Sequence, residues 1–137
     1  MTKKLVKINN LYKSYKYRDL KLSILEDVQF EIKENEIISI IGPSGVGKST
    51  FLNLVGLLDS FDSGEYYFEN LDVKKLTKQE KNKFRNIYVG FIHQFFHLIP
   101  ELTILENVAI PKMIKDDDKK ESYEYAHHLL ETFKLQD

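Results

Sequence analysis

The residues from Gly42 to Ser49 follow the spacing G-x-x-x-x-G-K-[ST], and their types and order can hold a phosphate group. Glycines let the backbone of such a loop curl with its N–H groups pointing at an anion. Lys48 would reach the β- and γ-phosphates of a nucleotide, the Ser49 hydroxyl would ligate Mg²⁺, and Thr50 would hydrogen-bond a phosphate oxygen. The predicted cradle consists of Gly42, Pro43, Ser44, Gly45, Val46, Gly47, Lys48, Ser49 and Thr50.

Two elements must position this loop. The run at 37–41 contains four isoleucines and predicts a strand buried on both faces, as in a parallel sheet. Apolar residues at 51–58 recur at helical spacing and predict a helix that starts where the loop ends. A chance glycine-rich turn is the alternative interpretation. A strand before the loop and a helix after it form the context that favours phosphate binding, because a helix N-terminus attracts anions.

The other elements follow from local patterns. Strand-like patterns occupy 5–8, 28–32, 65–69 and 87–92. Capping boxes, Thr77 with Glu80 and Thr103 with Glu106, predict the starts of two helices. Further features are a turn with a left-handed Asn35, a turn at 62–64, a helix end or bend at Pro111, a solvated loop at 115–120 and an amphipathic helix at 121–135. Only 37–41 and 87–92 are candidates for the parallel core strands.

Composition excludes several classes of function. The chain has 137 residues, which fits one domain, and its net charge of −1 gives no basic excess for nucleic acid. It has no cysteine, so disulfides and thiolate metal sites are excluded. No apolar run approaches the ~20 residues of a membrane span, and Lys7 interrupts any signal-peptide core. We expect a cytoplasmic protein that a partner would have to hold at any membrane.

Beyond the loop, the chain resembles the ATPases of ABC transporters over its whole length. The resemblance is carried by "INNLYKSY" (8–15), "LEDVQFEIKENE" (25–36), "GPSGVGKST" (42–50) and "VGFIHQFFHLIPELTILENV" (89–108), although the family usually has glycine at Asn35. It implies an α/β fold: a P-loop NTPase core with an N-terminal antiparallel β subdomain and the start of a helical subdomain. The whole of 1–137 would be part of one ATP-binding domain, with the β subdomain and core to about 94 and the Q-loop and helical start at about 94–137.

The resemblance also implies roles for individual residues. Gln94 would be the Q-loop glutamine that senses the γ-phosphate through Mg²⁺ or the attacking water, beside the contact with a membrane subunit. Tyr15 would stack on adenine, with Tyr12 and Tyr17 as nearby rivals. The cofactors would be ATP and Mg²⁺, the catalytic residues Lys48 and Gln94, and the metal-contacting residues Ser49 and Gln94. A surface glutamine and ordinary strand aromatics are the alternatives.

Within the family, "GLLD" (56–59), "SGEYYF" (63–68) and "QFFHLIPELTILENVAIP" (94–111) most resemble the lipoprotein-releasing and macrolide-export branch. The implied partners are membrane-spanning transporter subunits and a second ATP-binding subunit that pairs on ATP binding, at the cytoplasmic face of the membrane. No nucleic acid is expected. A nucleotide-binding module without ATPase activity, or an ABC ATPase of DNA repair or translation, are the alternatives. The cargo is not encoded in these residues.

Several chemically suggestive side chains have a simpler interpretation. Asp59 follows an apolar run like a Walker B acid, but the helical spacing of "NLVGLLD" (53–59) predicts a helix-end residue. His93 is interpreted as a strand-end side chain, and His127 and His128 as structural side chains of a helix. For Phe95, Phe96 and Leu98, docking a membrane subunit and packing in the core are both open.

The resemblance also defines what these residues do not contain. The family's signature of the LSGGQ type, its Walker B strand ending in Asp-Glu and its switch histidine have no counterpart in the sequence, which is expected to stop inside the helical subdomain. The parallel sheet should therefore have uncovered strand edges, which are aggregation sites.

We expect a polypeptide of these 137 residues to hydrolyse ATP at close to the uncatalysed rate. Positioning and charge stabilisation dominate phosphoryl transfer, and the chain has the cradle and Gln94 without the Walker B acids or the signature. Steady-state phosphate release with Mg·ATP measures this. Release that Lys48→Ala abolishes would contradict the prediction.

Overall fold

The computed structural model describes residues 4–116 and 118–135. These residues form two compact units, Met1–Lys81 and Asn82–Asp137, each described separately below. Among the described residues, no helix has the length and apolar character needed to cross a membrane. The division of function at residue 94 stays a prediction.

The first unit is built on a four-stranded antiparallel sheet of order β2-β1-β3-β4. Its strands are β1 (Lys4–Tyr17), β2 (Leu20–Lys33), β3 (Ser63–Phe68) and β4 (Leu71–Asp72). β1 is central because both of its edges are paired, so that Ile8 lies opposite Phe30 on one side and Tyr66 on the other. This sheet matches the N-terminal antiparallel β subdomain of the predicted fold.

One face of β1 supplies the core of this unit. Val6, Ile8 and Leu11 are buried there, and Lys13 continues the row with only 6% of its surface exposed. Side chains two residues apart lie on the same face of a strand, and a bulge between Ile8 and Leu11 shifts the alternation by one residue. The row therefore carries a lysine into the core.

Helix α1 (Lys48–Val55) covers part of this core. Its Phe51 is buried and packs edge-on against Phe30 of β2, with 4.9 Å between ring centroids. Tyr66 is fully buried, and its hydroxyl donates to the Val55 carbonyl oxygen at 2.7 Å. That carbonyl is one of the last in the helix, where no intrahelical partner exists, so a side chain of the sheet completes the helix end.

The prediction of two parallel core strands, at 37–41 and 87–92, is wrong. Residues 37–41 have no regular secondary structure, and 87–92 are the end of a helix followed by irregular backbone. Ile37 and Ile41 are at least nine-tenths exposed. An apolar run becomes a strand only where a neighbouring strand accepts its backbone hydrogen bonds, and no described strand lies beside either segment. The predicted aggregation at uncovered edges stays a prediction.

Three helices follow: α2 (Lys78–Tyr88), α3 (Ile104–Asp116) and α4 (Lys119–Thr132), with a 3₁₀ turn at Val73–Lys75 before them. Both capping boxes are confirmed. The Thr77 N–H donates to Glu80 at 2.8 Å, and the Thr103 N–H donates to Glu106 at 2.8 Å. The left-handed Asn35 is also confirmed, with φ of 62°.

The structure settles one helix limit and shortens one loop. Of the two outcomes predicted at Pro111, a helix end is wrong, because this residue lies inside α3. The helix continues for a further turn, and the Asn86 amide of α2 donates to the Pro111 carbonyl oxygen at 2.9 Å. The predicted loop at 115–120 is shorter, because α3 reaches Asp116 and α4 begins at Lys119, while residue 117 lies outside the described residues. Asp118 caps α4 by accepting from the Glu121 N–H at 2.9 Å.

We expect Tyr66→Phe to lower the free energy of unfolding by about 1–3 kcal/mol, because it removes a buried hydrogen bond. Burial raises the pKa of Tyr66 to about 12, against 10.0 when exposed. Tyr66 is protonated in both states below pH 10, so its contribution is complete there. As the pH rises from about 10 to about 12 the unfolded state loses the proton first, so the contribution falls.

Urea unfolding at pH 8 and at pH 11 measures both effects. The difference between the native chain and Tyr66→Phe should be smaller at pH 11. Tyr12→Phe, at a residue 40% exposed, is the matched control and should change little at either pH. A difference that is equal at the two pH values would contradict the prediction.

Candidate phosphate-binding site

The loop from Gly42 to Gly47 turns directly into α1 through left-handed backbone. Gly45 has φ of 81° and Gly47 has φ of 100°, and Gly47 is the N-cap of the helix. The Phe51 N–H donates to the Gly47 carbonyl oxygen at 2.8 Å, so the hydrogen bonding of α1 starts at this glycine. The first N–H groups of the helix are thereby left for an anion.

Gly47 is required for space as well as for conformation. A Cβ at this position would lie 3.0 Å from Cγ2 of Ile24 and 3.2 Å from the Ile24 carbonyl oxygen. The backbone oxygen cannot rotate away as a side chain can. β2 therefore approaches the start of α1 so closely that a side chain at this position would force its neighbours to shift by a few tenths of an ångström.

Lys48 closes the loop on itself. Its Nζ donates to the carbonyl oxygens of Gly42 at 2.8 Å and Pro43 at 2.6 Å. An ammonium group has three donors, so one remains for a phosphate oxygen. Ser49 is exposed, which leaves its hydroxyl accessible to a cation, and Thr50 is half-buried. These donor types fit a phosphate and Mg²⁺.

A cavity of about 460 Å³ lies beside the loop in the same unit. Its walls are mostly apolar and include Phe30, Ile40, Val46 and Phe51, with Lys48 at one side. An apolar cavity does not suit a charged phosphate. This cavity therefore does not suit a phosphate, and the cradle at the exposed loop stays a prediction.

The structure brings the predicted base-stacking residue, Tyr15, close to the helix that ends the loop. The Tyr15 hydroxyl donates to Oδ2 of Asp59 at 2.6 Å. This hydrogen bond raises the pKa of Tyr15 above its ordinary value, although the Thr50 side chain acts to lower it. The helical spacing of residues 53–59 predicts a helix-end residue at Asp59, whereas α1 ends at Val55, four residues earlier.

A second residue that sequence reasoning missed is Lys13. Its Nζ donates to Oδ1 of Asp59 at 2.9 Å. The Lys13 side chain is buried, whereas that of Asp59 is partly exposed. The sequence carries no clear signal for it, because simple alternation from Ile8 leads to Asn10 and Tyr12. Only the bulge after Ile8 brings Lys13 into the buried row, where a lysine needs a carboxylate partner.

Gln94 lies in the second unit, on an exposed bend. Its neighbours Phe95 and Phe96 are 69% and 94% exposed, so they are not core residues in this structure. His93 stacks on Phe91, with 5.3 Å between ring centroids. Among the described residues no group of three or more His, Cys, Asp or Glu side chains could hold a metal ion. The roles of Gln94 as catalytic and metal-contacting residue stay predictions.

The segment after Gln94 is fixed by Asn107 of α3. The Asn107 Oδ1 accepts from the Ile99 N–H at 2.7 Å, and its Nδ2 donates to the Thr103 carbonyl oxygen at 2.9 Å. One side chain therefore ties the irregular segment 99–103 to the first turn of α3. The first residue that Asn107 holds in this way, Ile99, is five residues after Gln94.

The family model described as ABC transporter matches residues 25–137, which include the loop, α1 and all later helices. The chain belongs to the ABC transporter family. Its resemblance to that family is thereby confirmed.

Solved structures agree with this family in fold. A dimeric structure of the ATP-binding cassette MJ0796, in a post-hydrolysis state bound to ADP and Pi, matches with a TM-score of 0.82 at 41% identity. The match covers 92% of this chain and 56% of that chain. At this similarity, the α/β fold of an ABC ATPase is confirmed.

Curated relatives point to one branch of the family. The lipoprotein-releasing system ATP-binding protein LolD of Buchnera aphidicola is 41% identical over 97% of this chain and 58% of its own length. The protein of the same name from Myxococcus xanthus is 42% identical over 93% of this chain and 57% of its own length. The chain thus spans a little over half the length of the curated relatives it matches.

Three glycine-to-alanine variants separate the cost of left-handed backbone from the cost of a steric clash with a Cβ. We expect Gly47→Ala to lower the free energy of unfolding by more than the roughly 1–2 kcal/mol that left-handed backbone costs alanine, because its Cβ also meets Ile24. Gly45→Ala should cost about that amount, since nothing lies within 4 Å of its Cβ. Gly90→Ala is the control, with neither constraint. Chemical denaturation gives the three values, and equal losses at Gly45 and Gly47 would contradict the steric argument.

Proposed function

We propose that the chain binds ATP with Mg²⁺ through Gly42–Thr50. The observation that carries this proposal is the left-handed Gly47 at the start of α1, with Lys48 folded over the loop carbonyls. Together they aim backbone N–H groups and an ammonium group at one place. That combination of donors favours a polyphosphate over a neutral ligand.

Each residue of the site has a distinct proposed role. Lys48 neutralises the β- and γ-phosphates, Ser49 supplies a hydroxyl ligand for Mg²⁺, and Thr50 hydrogen-bonds a phosphate oxygen. Tyr15 stacks on the base. Gln94 contacts the metal or the attacking water, and its amide can both donate and accept.

For the whole protein we propose the ATP-binding subunit of an ABC transporter of the lipoprotein-releasing or macrolide-export branch. The LolD name shared by the relatives supports the lipoprotein-releasing side. Its partners would be membrane-spanning subunits, at the cytoplasmic face of the membrane, and a second ATP-binding subunit. The dimeric state of the MJ0796 cassette supports the latter.

Hydrolysis is proposed for the whole protein and not for these residues alone. Residues 37–41 have no strand beside them among the described residues, and the relatives are nearly twice as long. The same observation favours the second candidate function, a nucleotide-binding module without ATPase activity. Steady-state phosphate release by the 137-residue chain and by the whole protein decides between the two.

A titration of the chain with Mg·ATP in a calorimeter tests nucleotide binding. We expect Lys48→Ala to weaken binding by about ten-fold or more, because it removes a charged hydrogen-bond donor from the cradle. Lys120→Ala is the matched control, since this lysine is 89% exposed and lies on α4, and it should bind as the native chain does. Chelating the Mg²⁺ should also weaken binding. Absence of heat and of any change in melting temperature with ATP would overturn the proposal.

A further inference from the structure

The residues from Asp59 to Asp62 are connected to β1 by several hydrogen bonds. The Asp62 N–H donates to the Tyr12 carbonyl oxygen at 2.9 Å, and the Ser14 N–H donates to Oδ2 of Asp62 at 2.9 Å. The Ser14 hydroxyl donates to the same carboxylate. Residues 12–15 of β1 are therefore held from the side by this short segment.

The end of α1 directs the chain into that segment. The Leu58 N–H donates to the Asn53 carbonyl oxygen at 2.8 Å and the Leu57 N–H to the Leu54 carbonyl oxygen at 3.1 Å, which is the Schellman pattern. Its left-handed position is usually glycine, but here it is Leu57, with φ of 58°. Leu57 is only 8% exposed, so burial of its side chain offsets the conformational cost. Two residues later the chain presents Asp59.

Asp59 is held in place by groups on one of its oxygens. Oδ1 accepts from Lys13 Nζ at 2.9 Å and from the Ser60 N–H at 2.6 Å. Lys13 Nζ also donates to the Ser60 carbonyl oxygen at 2.6 Å. A buried ammonium group requires hydrogen-bond partners. The hydrogen bonds from Lys13 and from the Ser60 N–H also fix the plane of the Asp59 carboxylate. The other oxygen is left for Tyr15.

Tyr15 is constrained at two places by this pair. Its hydroxyl donates to Oδ2 of Asp59 at 2.6 Å, and Lys13 Nζ lies over its ring, 4.5 Å from the centroid. Lys13 and Tyr15 are two residues apart in β1, so they lie on the same face of the strand. The ring is nevertheless 41% exposed. The cation occupies one face of the ring, so a stacked base would use the other.

The protonation states support this arrangement. Partial burial works against ionisation of Asp59, but hydrogen bonds from Tyr15 and Lys13 outweigh it and hold its pKa below the ordinary value. The hydrogen bond to Asp59 raises the pKa of Tyr15. At neutral pH Asp59 is therefore a carboxylate that accepts and Tyr15 a phenol that donates.

We propose that Asp59, held by Lys13, is a positioning residue that orients the Tyr15 ring for stacking of the nucleotide base. The proposal rests on the nucleotide binding proposed above. Lys13 is paired with Leu25 of β2, and Ile24 and Leu25 approach Gly47, so this part of the sheet lies beside the start of α1, where the phosphates would lie. The competing interpretation is that Asp59 only satisfies a buried lysine and supports the fold.

The test compares two ligands, Mg·ATP and Mg·tripolyphosphate, because the second occupies the cradle without a base. Tyr15→Ala removes the ring and should weaken ATP binding by roughly 5- to 150-fold. Tyr15→Phe keeps the ring and the Lys13–Asp59 pair but loses the tether. Asp59→Asn keeps the shape of the side chain but loses its charge. Each of these two should weaken ATP binding by about two- to ten-fold.

All three variants should bind tripolyphosphate within two-fold of the native chain. An Asp59 variant that fails to fold leaves Tyr15→Phe to decide, since that variant preserves the ion pair. Equal weakening for both ligands would show a purely structural role and overturn the proposal. So would unchanged ATP binding by Tyr15→Phe or by Tyr15→Ala. If the native chain binds neither ligand, nucleotide binding itself fails; if it binds both and the variants do not discriminate, only the positioning role fails.

Discussion

A β-strand exists only where a neighbour pairs with its backbone, and this constraint decides which apolar runs of the chain become structure. β1 has a neighbour on each side, so its apolar row is buried and becomes the core of the first unit. The isoleucines of 37–41 are more apolar than β1, yet they remain irregular because no described strand lies next to them. Hydrophobicity drives burial, but backbone pairing determines where burial is possible.

Features whose cause is local were predictable from the sequence. Both capping boxes form as expected. In each, the Thr backbone N–H donates to the carboxylate of the Glu three residues later, so no distant partner is needed. The loop-to-helix turn at Gly47 is equally local. The parallel strands could not be predicted correctly, because the same isoleucine pattern is compatible with a paired strand and with an unpaired segment. The pattern at Pro111 left open a helix end and a bend, and only the structure shows that α3 continues past this residue.

The candidate site divides in the same way. The predicted cradle is a local pattern, and the loop-to-helix turn that it requires forms, with Lys48 bonded to carbonyl oxygens five and six residues before it. The groups around Tyr15 could not be found so easily, since Lys13 and Asp59 are 46 residues apart in the chain. They meet because the left-handed Leu57 turns the chain back towards β1. The burial of Lys13, which requires a carboxylate beside it, is seen only in the structure.

The charge of this cluster also matters for the cradle. An unpaired carboxylate beside Tyr15 would repel the phosphates that Lys48 and the helix N-terminus attract. Lys13 Nζ lies 2.9 Å from Oδ1 of Asp59, so the two charges cancel and the pair adds no net charge. Oδ2 of Asp59 can therefore hold the Tyr15 hydroxyl without weakening the field at the loop. A neutral acceptor would avoid the repulsion too, but it would leave the buried Lys13 without a counter-charge, which is the costlier arrangement.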